Sequence, residues 1–254
     1  MFTLAKLAYI ACNQKEKFQY NSLETPKIDV KSCCTNILSY IKIKTNFNMF
    51  ENVDYVPVTS ALILSETAVS NGHLECLKFA TQQRGFIKNS FICNQAASKG
   101  QVECLKYLHE QGFPWGEEVC QNAALYGHLE CLQYARERGC PWNDVVCAKA
   151  AYNGKLECLT YAHTNGCLWD KMTCEAAATN GHLACLQYAH ENGCLWDEMT
   201  CEAAAANGHL ACLQYARENG CLWDISTCIA AMCHNHSDCF EYAIENSCPW
   251  IEIF

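Results

Sequence analysis

The segment TCEAAATNGHLACLQYAHENGCLWDEM at 173–199 is followed at once by TCEAAAANGHLACLQYARENGCLWDIS at 200–226, and the two differ at four positions. One unit has been copied in tandem, and the copies extend outward. A loop glycine recurs at Gly72, Gly100, Gly127, Gly154, Gly181 and Gly208, and a tryptophan at Trp115, Trp142, Trp169, Trp196, Trp223 and Trp250. The period is 27 residues, with one extra residue in the first copy. A fixed period of this size marks stacked units, none of which can bury its own apolar face alone. The chain is therefore read as an array: seven copies over 57–254, preceded by a degenerate or capping segment at 1–56, where Leu38 to Ile41 (LSYI) echoes the LQYA of the repeat.

Within Thr200–Ser226, TCEAAAA is a good helix former that stops at Asn207-Gly208, a pair suited to a left-handed end. HLACLQYAREN forms a second short helix, stopped by Gly220. Its apolar positions Leu210, Cys212, Leu213, Tyr215 and Ala216 cover most of its circumference, as expected of a helix held between neighbours. After each Trp, or in the matching place of the first copy, stand Asn89, Gly116, Asn143, Asp170, Asp197 and Asp224, all suited to capping the next helix. Ile251, after the last Trp, cannot cap. One column is alanine in every copy: Ala68, Ala96, Ala123, Ala150, Ala177, Ala204 and Ala231. Such constancy predicts close backbone approach between units. The expected fold class is an all-α solenoid of stacked helix-turn-helix repeats.

The unit resembles the ankyrin repeat, with Thr200, Ala204-Ala205, Gly208-His209, Leu213 and Gly220 in the order of that family's pattern. The Pro and His of the first-helix motif are absent, and each unit is about six residues shorter than the familiar repeat. The deficit falls where the family builds protruding hairpin fingers, so tight loops are expected there. Short Cys- and Trp-rich units of this kind are similar to those of large DNA viruses and protists. The resemblance implies a protein-binding scaffold whose first helices line a concave face. Related arrays carry F-box-like or BTB segments in front. No Leu-Pro opening stands here, which leaves a ubiquitin-ligase adaptor as an alternative.

The 22 cysteines fall mostly into three columns, exemplified by Cys185, Cys194 and Cys201. Phe113 replaces the middle column in a copy that keeps Cys104 and Cys120, and Ser65 replaces the third column in the first copy. A slot that accepts Phe is an apolar slot, so reduced, buried thiols are expected rather than disulfides. No Cys-x-x-Cys occurs. His opens the second helix at residues 73, 128, 182, 209 and 236 but gives way to Gln101 and Lys155, neither suited to a metal site. The cluster Cys228, Cys233, His234, His236, Cys239 and Cys248 matches no recognised zinc spacing, and a zinc or thiol-based module stands as a further alternative. The Trp column is expected to form a stacked spine beneath the loops.

No phosphate loop, His-Glu-x-x-His or Gly-x-Ser-x-Gly motif occurs, so no enzyme activity and no cofactor are expected. The net charge is −9, yet residues 1–50 hold seven Lys against three acids, which leaves −13 on the rest. That balance disfavours nucleic acid and suits a protein partner with a basic surface. No apolar run reaches membrane-spanning length, and MFTLAKLAYIAC is a poor secretory signal, so a monomer in the cytoplasm, or a host's cytoplasm, is expected. Partner choice must sit where copies differ. The candidate binding residues are Leu125, Tyr126 and Tyr152 as an apolar anchor, with Gln95, Gln121, Asn122, Lys149 and Glu175 around them on the first helices.

Overall fold

The computed structural model describes residues 2–3, 29–30, 58–83 and 85–250. The expected boundary at 56 and nearly all of the preceding segment lie outside these residues. The fold is an all-α repeat solenoid, and the chain divides into two compact units at Trp115/Gly116.

The first unit holds a two-residue antiparallel pairing of β1 (Phe2–Thr3) with β2 (Asp29–Val30). It also holds the hairpins α1 (Val58–Ser70) with α2 (Leu74–Thr81) and α3 (Ser90–Ser98) with α4 (Val102–Glu110). The second unit holds five hairpins. Their first helices are α5 (Glu117–Tyr126), α7 (Val145–Tyr152), α9 (Lys171–Thr179), α11 (Glu198–Ala206) and α13 (Ile225–Cys233). Their second helices are α6 (Leu129–Glu137), α8 (Leu156–Thr164), α10 (Leu183–Glu191), α12 (Leu210–Glu218) and α14 (Ser237–Glu245).

Within the second unit the first helices pack closely on one another in sequence, whereas the second helices touch more sparsely. The alanine column is the reason. All seven members are fully buried, and a methyl is the largest group the first-helix layer accepts. A second column beside it, Val69, Ala97, Ala124, Ala151, Ala178 and Ala205, is equally buried. The wider second-helix layer is filled by Leu77, Leu105, Leu132, Leu159, Leu186 and Leu213, each without exposure.

The hairpin turn is a Schellman stop. Gly127, at φ +79°, donates its N–H to Ala124 O at 3.2 Å while His128 N–H reaches Ala123 O at 2.8 Å. The left-handed residue is glycine at both turns of most copies, but Asn235 (φ +60°) and Ser247 (φ +64°) take it in the last. The caps follow expectation at Asn89, Asp170, Asp197 and Asp224, whose side chains accept from the first-turn amides. Asn143 departs from it: Asp144 caps α7 instead, accepting from Val145 N at 3.0 Å. The Asn143 side chain is taken by the preceding copy, where it receives Gln121 Nε2 at 3.2 Å and donates to Glu117 Oε2 at 2.9 Å.

His182, His209 and His236 occupy helix-entry positions but make no side-chain cap. Each ring instead lies over the turn glycine of the copy before, Gly154, Gly181 and Gly208, where a Cβ would come within 2.5 Å of Nδ1. The tryptophans form a mixed spine rather than a Trp-on-Trp stack. His163 and His190 lie flat on Trp169 and Trp196 at 3.8 Å, and Arg136 and Arg217 cover Trp142 and Trp223. Tyr188 and Tyr215 then meet the preceding Trp edge-on and hydrogen-bond the His Nδ1 at 3.0 and 3.1 Å.

Candidate functional site

Among the candidate binding residues, Gln95 belongs to the first unit. It lies half-buried in α3, and its Nε2 donates to Ser70 Oγ at 3.0 Å, tying two copies together. The other seven lie in the second unit. Gln121 is only 8% exposed, and besides its bond to Asn143 it accepts from Lys149 Nζ at 3.1 Å. Gln121 and Lys149 thus form a polar tie between α5 and α7. Asn122 in α5 and Glu175 in α9 are half-buried, and the Glu175 carbonyl accepts from Thr179 Oγ1 at 2.8 Å. Leu125 is half-buried, and its carbonyl accepts from Asn153 Nδ2 at 2.8 Å. Tyr126 and Tyr152 end α5 and α7 and stand 49% and 46% exposed. They are the large apolar members of the set that solvent reaches freely.

A second group of exposed apolar residues was not singled out by the copy-to-copy comparison. Leu168, Leu195 and Leu222 occupy one loop column and are 78%, 78% and 70% exposed. Met172 and Met199, in the first turns of α9 and α11, are 53% and 40% exposed. The available signal was that Pro114, Pro141 and Pro249 hold the same column in other copies. A position shared by Pro and Leu in a turn is outside the core.

The 19 described cysteines are thiols rather than disulfides, and all but Cys233 are buried. The loop thiols do more than fill space. Cys140, Cys167, Cys194, Cys221 and Cys248 donate Sγ–H to the carbonyls of Gly116, Asn143, Asp170, Asp197 and Asp224 at 3.0–3.1 Å, which fastens each loop to the start of its own first helix. Donation of their own S–H to the loop sulfur, followed by burial, holds the thiols of Cys120, Cys147, Cys174 and Cys201 well above their ordinary value. Burial pushes Cys104, Cys158, Cys185 and Cys212 up to about 11. These are packed, protonated thiols. Among the described residues, no group of three or more His, Cys, Asp or Glu converges to hold a metal ion. At the Cys228–Cys248 cluster, Cys233 is exposed on α13 and His234 Nδ1 is engaged with Ala230 O at 2.9 Å. Nor is any described helix long and apolar enough to cross a membrane.

Residues 93–136 match the family model described as ankyrin repeats in many copies. Among solved structures, the human ASB11 ankyrin repeat domain is similar, with a TM-score of 0.52 and 19% identity over 62% of this chain and 84% of that one. No curated protein matches the sequence at a significant level. Residues 93–136 thus carry ankyrin-repeat sequence, and the flanking copies share their period and hairpin architecture.

Proposed function

We propose that the chain is a non-enzymatic protein-interaction scaffold, acting as a monomer in the cytoplasm, whose first-helix face binds a protein with a basic surface. Ankyrin repeats are in general protein–protein interaction modules. The observation that carries the site is the pair Tyr126 and Tyr152, roughly half exposed at the ends of adjacent first helices. Their columns elsewhere carry small or polar residues such as Ser98, Lys99, Thr179 and Asn180. Large aromatic groups set among hydrogen-bonded polar neighbours suit an anchor with a polar rim. The −13 balance outside residues 1–50 favours a basic partner by long-range steering.

Replacing Leu125, Tyr126 and Tyr152 together by Ala should weaken the complex by at least about 2 kcal/mol while far-UV circular dichroism stays unchanged. Affinity capture with this variant, with the intact chain and with a chain lacking residues 1–56 reads the result. Capture retained by the variant but lost on truncation would move the site to the N-terminal segment. Added salt should weaken the complex in either case.

A further inference from the structure

We propose that Leu168, Leu195 and Leu222 form a docking rail for an extended, basic segment of a partner protein that carries an apolar side chain at every third residue. This inference rests on the scaffold reading and assigns it a second surface, distinct from the Tyr126/Tyr152 patch. Among the described residues of the second unit the three leucines are the most exposed large apolar ones, and they recur in consecutive copies at one column.

Their exposure is built in rather than incidental. The residue before each leucine is a loop cysteine whose thiol is tied to a backbone carbonyl: Cys167 to Asn143, Cys194 to Asp170, Cys221 to Asp197. The residue after each is a tryptophan held against His163, His190 or Arg217. Each leucine is thus held out into solvent by a loop anchored on both sides, and little conformational freedom remains to be lost on binding.

Spacing and charge select the occupant. Packed helices lie about 8–10 Å apart, so the leucines recur at about that interval. A polyproline-II segment advances about 9 Å in three residues and returns to the same face. Seven residues therefore reach from Leu168 to Leu222, and Pro141 and Pro249 bound the rail at either end. Two residues beyond each leucine stands an acid, Asp170, Asp197 or Asp224, with Glu198 beside the second. Of the cations nearby, Lys171 is already paired with Asp197 and Arg217 lies over the Trp223 ring. Two such acidic rails repel each other, which disfavours a second copy of this chain and favours a segment with Lys or Arg between its apolar residues.

The test uses the full chain and a fluorescein-labelled peptide of three Leu-Lys-Pro units, with a scrambled peptide of the same composition as control, read by anisotropy. The ordered peptide should bind at least about tenfold tighter than the scrambled one. Leu168→Ser/Leu195→Ser/Leu222→Ser should weaken it at least about tenfold with unchanged circular dichroism, since these side chains support nothing in the core. Raising salt from about 50 to about 500 mM should also weaken it. Equal binding of both peptides, or an unaffected leucine variant, overturns the rail. If Tyr126→Ala/Tyr152→Ala abolishes binding while the leucine variant retains it, the rail fails and the first-helix site stands. If neither variant matters, both assignments fail.

Discussion

Gly181 and Gly193 share one repeat and similar left-handed backbones, φ +71° and +86°, yet their surroundings differ. A Cβ on Gly181 would meet His209 Nδ1 at 2.5 Å, whereas nothing lies within 4 Å of one on Gly193. Gly193→Ala should therefore cost only the left-handed strain, about 1–2 kcal/mol. Gly181→Ala should cost at least about 1 kcal/mol more because the imidazole must move. Urea midpoints read the difference, and a double-mutant cycle with His209→Ala should remove it. A second test concerns Thr200 and Thr227, fully buried with hydroxyls that have no hydrogen-bond partner, in a column filled elsewhere by Ile92, Val119 and Val146. Thr200→Val keeps the shape and removes an unsatisfied hydroxyl, so it should raise stability by about 1 kcal/mol in the same assay.

Between elements, the first-helix layer depends on its small side chains. Ala177→Leu should overpack α9 against its neighbours and lower stability by about 1–3 kcal/mol, and an unchanged unfolding midpoint would show that the column is not a contact. One entry histidine, His182, ties adjacent hairpins in a pH-dependent way. Burial lowers the His182 pKa below its ordinary 6.5, the Tyr152 carbonyl opposes that shift, and His209 and Lys155 reinforce it. The folded value lies below the unfolded one, so the unfolded chain takes up the proton first as pH falls. Stability from this residue is complete above about pH 6.5 and declines through the acidic range. The urea midpoint should fall between about pH 7.5 and about pH 5.5. His182→Gln, which places there the residue type that Gln101 supplies in the second copy, should flatten part of that fall.

For the whole molecule, one exposed thiol among the 19 described gives a direct test of the packing. Under native conditions a thiol reagent should label Cys233 at once and the other 18 only as fast as the repeats open, with peptide mapping by mass spectrometry as the readout. Immediate labelling of a loop cysteine such as Cys194 would contradict its bond to the Asp170 carbonyl. In stacked repeats each unit leans only on its neighbours, so opening should proceed copy by copy rather than all at once. The last copy is expected to label early, because Asn235 and Ser247 hold left-handed positions that other copies give to glycine. Ser247→Gly should slow labelling of Cys248.

How much of this was legible in the sequence follows from what repetition can encode. The period, the turn glycines and the invariant alanines specify a helical hairpin that stacks on its own kind, because small size and left-handed turns are local requirements visible in one copy and confirmed in the next. Phe113 in a cysteine column likewise marked that slot as apolar, and it is buried. Tertiary structure alone decided what polar side chains do between copies. Asn143 reads as a cap, but Gln121 and Glu117 from the preceding copy take its side chain. Gln121 and Lys149 vary as partner-facing residues would, yet they bond each other across two helices. The loop thiols reach carbonyls 24 residues earlier, and the loop leucines are held clear of the core. A repeated sequence determines the unit and its spacing. Which groups meet across the gap between units depends on distances that exist only once the copies are stacked.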